Sequence, residues 1–311
     1  MPVLSLKTGT KSRSLLVGNT AYIPVTRGLF FAGFNGSSTW YNTVDYVTID
    51  TTGNATDFGD ISQSLISVAS VASTTRAVTA GGGNSSDVKT NTIEYFTIDT
   101  TGNATDFGDL TLARTGMGGA GSETRGIYTG GYTSTYSNVV DYITIASTGN
   151  ATSFGTLTNA RANGPCCASP TRLLLGGGDV GTATADISFL TIATTGNSSS
   201  FGNLTSAGNV IGALSSNTRG IWAGTRTSGN IIDYVTIATD GNATDFGDLT
   251  VDRASIGGTS NRTRGIFGGG SGANNTIDYI TIASTGNATD FGDLTVGRGW
   301  LTGASGAHGG I

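Results

Sequence analysis

The chain has 311 residues, of which 50 are glycine and only 12% are charged, and its formal net charge is −5 at pH 7. The charges are scattered and form no basic block, which excludes a nucleic-acid face built from clustered lysine and arginine. No apolar stretch is long enough for a membrane span, and the N-terminus lacks the apolar core of a secretory signal. We therefore expect synthesis in a cytoplasm, without membrane insertion.

The first 22 residues have no counterpart in the pattern that follows them. We expect residues 1–22 to form an N-terminal attachment segment that docks on another protein. Residues 23–311 carry one continuous pattern and are expected to form one domain.

From residue 23 onward, one phrase is repeated with small variations. Its glycines are Gly53, Gly102, Gly149, Gly196, Gly241 and Gly286. A Thr-Arg pair before the phrase and a Phe-Gly pair at its end recur at similar intervals. Six copies of nearly constant length indicate a repeat architecture.

Each copy divides into four short segments with strand composition. In the last complete copy they are "RASIGGTS" (253–260), "TRGIFGGG" (263–270), "IDYITIAS" (277–284) and "ATDFGDLT" (288–295). β-Branched and aromatic residues favour strands, and the Gly, Asn and Ser between the segments favour turns. No copy shows a helical apolar period, so the chain is predicted to be all-β.

Six units of four antiparallel strands predict a six-bladed β-propeller. The first blade begins with its second strand, "VTRGLFFAGF" (25–34), and a first-strand sequence follows the sixth copy. We therefore expect the C-terminal strand to become the innermost strand of the first blade and close the ring. A β-solenoid is the rival architecture, but its rungs are usually shorter.

The repeated phrase has a structural interpretation. "TGN" predicts the turn between third and fourth strands, the Phe a plug between blades, and the following Gly a bulge. Aspartates flank Phe-Gly in four copies, and we expect them to accept from loop amides or to meet the Thr-Arg arginine. Calcium binding, N-glycosylation at Asn-Ala-Thr and one ligand site per blade remain alternatives. Because copies three and four lack both aspartates yet keep the turn and the Phe, fastening is favoured.

The loops between second and third strands differ from copy to copy and are where binding is expected. Their aromatic residues, Trp40, Tyr41, Tyr132 and Tyr136, lie among Ser, Thr and Asn, a mixture that suits sugars or protein surfaces. These four are the candidate ligand-binding residues. The alternative is that they pack on their own loops or on another subunit, including a second copy in a homo-oligomer.

Motifs of catalysis or metal binding are missing from the sequence. His308 is the only histidine, and no nucleophile elbow or phosphate loop occurs. Cys166 and Cys167 are adjacent, which disfavours a disulfide between them and predicts buried, reduced thiols. We expect no enzyme activity, no cofactor and no metal, although two carboxylates could still converge at the propeller axis.

The blade pattern resembles that of kelch-like propellers. The resemblance is carried by "GIYTGG" (126–131), "LLLGGG" (173–178) and "GIFGGG" (265–270), each followed by an aromatic strand. The later Tyr and Trp markers of kelch repeats are not regularly placed here. The resemblance implies the propeller fold already expected from the repeat.

A second resemblance concerns "SRSLLVGNTAYIP" (12–24) and "DYITIASTGNATDFGDLT" (278–295). Both look like segments of structural proteins of tailed bacteriophages, especially marine phages that infect cyanobacteria. This resemblance implies a virion component of the tail or its fibres that contacts the host surface, its glycans or other virion subunits. A capsid or neck decoration or connector protein, or a cellular lectin-like scaffold, are the alternatives.

Overall fold

The computed structural model describes residues 26–209, 212–225 and 229–311. The predicted attachment segment, residues 1–22, lies outside the described residues. The described chain contains strands and no helix, in six four-stranded antiparallel sheets. The predicted six-bladed β-propeller is confirmed, and the solenoid alternative is wrong because each repeat forms a separate sheet.

Each blade contains one copy of the repeat, except that the first blade takes its innermost strand from the C-terminus. The first blade contains β1 (Arg27–Phe34), β2 (Trp40–Thr48), β3 (Thr56–Asp60) and β24 (Thr302–Ser305). The second and third contain β4 (Ala69–Ala72), β5 (Arg76–Ala80), β6 (Thr92–Thr97), β7 (Thr105–Asp109), β8 (Gly118–Gly121), β9 (Arg125–Thr129), β10 (Val139–Thr144) and β11 (Thr152–Thr156).

The remaining blades repeat the same order, and the strands have these bounds. The fourth contains β12 (Cys166–Ala168), β13 (Arg172–Gly176), β14 (Thr184–Thr191) and β15 (Ser199–Gly208). The fifth contains β16 (Gly212–Ser215), β17 (Arg219–Ala223), β18 (Ile231–Thr236) and β19 (Thr244–Asp248). The sixth contains β20 (Gly257–Ser260), β21 (Arg264–Gly268), β22 (Thr276–Thr281) and β23 (Thr289–Asp293).

The ring is closed by pairing between β24 and β1. The antiparallel register runs from Gly28 opposite Ser305 to Phe31 opposite Thr302. The expected closure by the C-terminal strand is therefore what the structure shows. Because β1 and β24 come from opposite ends of the domain, the ring closes only when both ends are folded.

The innermost strands approach each other around the propeller axis. Ser70 Oγ donates to Gly303 O at 2.9 Å, and Ser260 Oγ donates to Ser215 O at 2.8 Å, each bridging two blades. A Cβ on Gly119 would lie 2.5 Å from Ser70 O, so this position requires glycine. Small residues and short hydroxyls thus allow the innermost strands to pack with little space between them.

The repeated phenylalanine is a plug between blades, as predicted. Phe58 is 2% exposed and lies 5.8 Å from the ring centroid of Phe96 in the second blade. The predicted bulge is also present, because the pairing of β2 with β3 shifts where Val44 faces Gly59 and Asp45 faces Asp57. These features hold the blades together and lie away from the axis.

The Thr-Arg arginines have a different role from the one expected. The guanidinium of Arg27 lies 4.6 Å from the ring centroid of Tyr46, and its Nη1 donates to Ile98 O of the next blade at 2.9 Å. The expected pairing with aspartates beside Phe-Gly is wrong, because Asp57 is exposed and the arginine lies on the aromatic ring. Cation–π contact and one carbonyl surround the Arg27 charge instead, and Arg172 differs in also pairing with Asp240 of a repeated turn at 2.7 Å.

The asparagine of the repeated turn forms a hydrogen bond that links neighbouring blades. Asn103 Oδ1 accepts a hydrogen bond from the backbone N–H of Asp60 at 3.1 Å. The same bond recurs around the ring from Asn150, Asn197, Asn242, Asn287 and Asn54. The repeated phrase is therefore a fastening of the frame, as the sequence favoured.

Candidate functional site

The topology separates a uniform face from a variable face. Because the strands are antiparallel, every third-to-fourth turn lies at one end of the ring, and these turns carry the repeated phrase. The second-to-third loops and the connections between blades lie at the other end. We call this other end the variable face, and it is where sequence differences between blades are concentrated.

Trp40 and Tyr41 lie in a strand and not in the loop where they were expected. They begin β2, and both are half-buried. Trp40 packs on Phe34 with 4.2 Å between ring centroids, and within the described residues its buried Nε1 has no hydrogen-bond acceptor. Phe34 also lies 6.0 Å from Trp300. The first blade therefore presents an aromatic cluster near the axis.

Tyr132 and Tyr136 form a second aromatic pair, on the third blade. Their rings meet edge to face at 5.5 Å, and Lys89 Nζ lies 5.8 Å from the Tyr132 centroid. Desolvation, followed by a hydrogen bond with Asp179, raises the pKa of Tyr136. The four candidate residues thus form two pairs on different blades, and the structure does not bring them together.

A cavity opens along the axis on the variable face. Its empty volume is about 620 Å³, including space open to solvent. One equivalent residue from each described connection lines it: Ser67, Gly116, Asn163, Ser255 and Trp300. We call these five residues and the cavity around them the throat. The equivalent position of the fifth blade, residue 210, lies outside the described residues.

The throat residues share a backbone conformation that side chains rarely adopt. Their φ angles are +52° at Ser67, +55° at Asn163, +61° at Ser255 and +54° at Trp300, and Gly116 has +66°. Left-handed backbone is unfavourable for residues other than glycine and is tolerated best by asparagine. The frame therefore imposes this conformation on side chains as different as serine and tryptophan.

A ring of backbone hydrogen bonds imposes that conformation. Ser67 N donates to Trp300 O at 2.9 Å, and Gly116 N donates to Ser67 O at 2.9 Å. Asn163 N donates to Gly116 O at 2.7 Å, and Trp300 N donates to Ser255 O at 2.9 Å. Each throat residue is thus tied to the throat residue of a neighbouring blade, which holds the throat in one shape.

Buried arginines anchor four of the connections, each two residues before a throat residue. These are Arg114, Arg161, Arg253 and Arg298. Three pair with an aspartate of the third strand: Arg114 with Asp141 at 2.9 Å, Arg253 with Asp278 at 2.8 Å and Arg298 with Asp45 at 2.9 Å. Burial lowers the pKa of the Arg114 and Arg253 guanidiniums, and the aspartate partners oppose that shift.

These arginines were not predicted from the sequence, although a motif marks them. "Leu-Thr-x-x-Arg" occurs at 110–114, 157–161, 249–253 and 294–298. The second and fifth blades have Leu65 and Gly208 at the arginine position. Because the motif spans a connection that varies in its other residues, it is less conspicuous than the more regular Thr-Arg pair.

The C-terminal tail, residues 306–311, covers the end of the axial channel that lies opposite the variable face. A second cavity of about 390 Å³ shares Gly119, Ala213 and Gly303 with the throat and reaches His308. His308 Nε2 donates to Ala72 O at 3.0 Å, and its Nδ1 accepts from Gly310 N at 3.0 Å. His308 therefore fastens the tail, a role that its isolation in the sequence did not indicate.

The lining of the throat is uncharged at neutral pH. The described lining residues include no carboxylate, lysine, arginine or histidine, and burial raises the pKa of the Cys166 thiol to about 12. Cys166 and Cys167 are both buried and free, as predicted. Apolar groups come from Val68, Met117, Ile256 and Leu301, and polar groups from Ser67, Asn163 and Ser255. This chemistry suits a neutral ligand with hydroxyl groups and an apolar face.

In the described ranges, no group of three or more His, Cys, Asp or Glu side chains is arranged to hold a metal ion. The described residues also include no helix long and apolar enough to cross a membrane.

A scan against protein-family models matches none of them, and a search of curated proteins finds no significant match to this chain.

Proposed function

We propose that the chain is a non-enzymatic structural protein of a bacteriophage virion, associated with the tail or its fibres. In this proposal it is made in the host cytoplasm and assembled into the particle. Its variable face recognises glycans of the host surface, and other virion proteins hold the module in place.

The division between frame and face supports a recognition role. Phe58, Arg27 and Asn103, with their equivalents in the other blades, serve to hold blades together. The variable face instead presents different residues from each blade on a rigid support. Rigid scaffolds that carry variable loops are the usual arrangement of binding proteins.

The observation that carries the glycan proposal is the chemistry of the variable face. Trp300 provides aromatic surface at the axial cavity, and Asn163, Ser67 and Ser255 provide uncharged polar groups. Sugars have both hydroxyl groups and apolar ring faces, so they match this combination. Charged ligands match it poorly because the lining offers no ionised partner.

The placement in a phage tail is supported by the resemblance of residues 12–24 and 278–295 to segments of phage structural proteins. The test is immunogold electron microscopy of purified particles whose genome encodes this chain. Labelling at the tail or fibres supports the proposal, and particles without label contradict it. A glycan array probed with the purified full-length chain tests recognition independently of location.

A connector that binds only virion proteins is the second candidate, and one observation favours it. Five large apolar side chains are exposed among the described residues: Val88 (58%), Leu112 and Val180 (40%), Val251 (39%) and Tyr132 (36%). Exposed apolar patches often mark protein interfaces. The connector would be favoured if cryo-microscopy found Tyr132 buried against another subunit and the glycan array showed no binding.

A further inference from the structure

We propose that the throat, and not the aromatic rim, is the glycan-binding site, and that it takes the terminal residue of a neutral sugar chain. This inference rests on the proposed function and specifies its ligand class and its residues. The rim means the four residues predicted from the sequence, Trp40, Tyr41, Tyr132 and Tyr136.

Enclosure favours the throat over the rim. The rim residues form two separate pairs, so no single ligand of one sugar residue could contact all four. The throat has about 620 Å³ of empty volume, including space open to solvent. Enclosure also places several side chains around one ligand.

The throat has polar groups without partners of their own. Ser255 is 4% exposed, and within the described residues neither its hydroxyl nor that of Ser67 makes a hydrogen bond. The amide of Asn163 is likewise without a described side-chain hydrogen bond, and its Oδ1 lies 2.6 Å from where a Cβ on Gly116 would be. These three residues line the cavity, so their polar groups are available to hydrogen-bond with ligand hydroxyls.

Strain is the second observation that points to function. Four described throat residues adopt left-handed backbone without being glycine, although glycine is abundant elsewhere in this chain. Backbone outliers of this kind concentrate at ligand sites, where the side chain is needed despite the cost. At Gly116, where the frame accepts glycine, the vacated space is occupied by the Asn163 amide.

The closed end of the channel, opposite the variable face, limits how far a ligand can enter. Residues 306–311 cover the channel beyond the second cavity, where Gly309 N donates to Ser215 O at 3.1 Å. A ligand therefore enters from the variable face and stops within the channel. This geometry fits the terminal residue of a chain, whose remaining residues extend outward past Trp300.

The throat also explains how one frame could serve different ligands. The equivalent positions have similar left-handed φ angles and similar backbone hydrogen bonds between blades. Their side chains nevertheless differ, being Ser, Gly, Asn, Ser and Trp. Because the backbone is set by the ring, side chains at these positions can change without changing the fold. We infer that the throat residues determine specificity.

The test measures binding of the full-length chain to methyl glycosides of neutral hexoses and, in parallel, to a methyl glucuronide, by saturation-transfer NMR. Asn163→Gly removes the amide and leaves a residue suited to φ +55°. Ser67→Trp fills the throat at a position whose backbone matches that of Trp300. Thr100→Ala, on the uniform face, and Tyr132→Ala, on the rim, are the matched controls.

The expected result is binding of at least one neutral glycoside, weakened about tenfold or more by Asn163→Gly and Ser67→Trp and unchanged by both controls. Circular dichroism establishes that each variant is folded. Binding that both throat variants leave unchanged would overturn the throat site while leaving glycan recognition intact. A chain that binds no neutral glycoside, or that prefers the glucuronide, would overturn the ligand class. Immunogold labelling tests the virion assignment separately, so the two proposals fail independently.

Discussion

Arg298 and Asp45 form a buried ion pair across the closure of the ring. Arg298 Nη1 lies 2.9 Å from Asp45 Oδ2, and both side chains are excluded from solvent. Arg298 Nε also donates to Ala32 O at 2.7 Å. Because Arg298 precedes Trp300 by two residues, this pair fastens the last connection to the first blade and positions one side of the throat.

Replacing Arg298 with leucine should destabilise the fold by about 3–5 kcal/mol, because Asp45 would remain buried without its cation. Urea denaturation of the purified chain measures the change. Arg298→Leu combined with Asp45→Val should recover part of the loss, since both buried charges are then gone. A single variant that costs less than about 1 kcal/mol would show that Asp45 does not depend on this arginine.

Deleting residues 299–311 should abolish cooperative unfolding, because β1 then lacks its inner partner and the ring stays open. Differential scanning calorimetry measures this directly. Deleting only residues 306–311 keeps β24 and is the control, for which we expect one transition at a lower temperature. If the longer deletion melted like the full chain, closure by β24 would not be needed for folding.

The blades could be predicted from the sequence because their signals are local and repeated. Phe58, Gly59 and Asn103 each act within one blade or on its neighbour, so every copy of the repeat shows the same signature. The number of strands, the turn, the plug and the bulge all follow from such signals.

The throat could not be predicted in the same way. Arg298 and Asp45 are 253 residues apart, and they meet only when the ring closes. The left-handed backbone of Ser67 depends on bonds to Trp300 and Gly116 in other blades, so its own sequence context gives no sign of it. The sequence predicted Trp40 and Tyr41 to lie in a loop, whereas they begin β2. Aromatic residues that follow Ser and Thr give the same local pattern in a loop as at the start of a strand.

The tail should lose stability in acid through His308. Burial lowers the pKa of His308 from its ordinary 6.5, and the neutral ring both accepts from Gly310 and donates to Ala72. The folded state therefore binds fewer protons than the unfolded state, so this contribution falls as pH drops below about 6.5, by at most about 1.4 kcal/mol per pH unit.

His308→Gln isolates this effect, because glutamine keeps a donor and an acceptor but does not titrate. Unfolding free energies measured from pH 8 to pH 5 should fall more steeply for the natural chain than for the variant. Glu123, the charged group that acts on His308, is present in both proteins, so its contribution largely cancels in the comparison. Parallel pH profiles would contradict the role given to the neutral imidazole.

Ser67→Gly should stabilise the fold by about 0.5–1 kcal/mol. Glycine removes the strain of left-handed backbone at φ +52°, which costs other residues about 1–2 kcal/mol. Part of that gain is lost because glycine makes the unfolded chain more flexible. Ser67→Ala keeps a side chain at φ +52° and is the control, which should not gain stability. Thermal melts of both variants give the comparison, and equal melting temperatures would show that the ring imposes no strain.

The most direct test of glycan recognition at the throat is a crystal structure of the full chain soaked with the methyl glycoside that binds best in solution. The account predicts one sugar ring in the throat, stacked on Trp300 and hydrogen-bonded to Asn163 and Ser255. A sugar bound at Tyr132 or Trp40 with an empty throat, or no bound sugar at a saturating concentration, would contradict it.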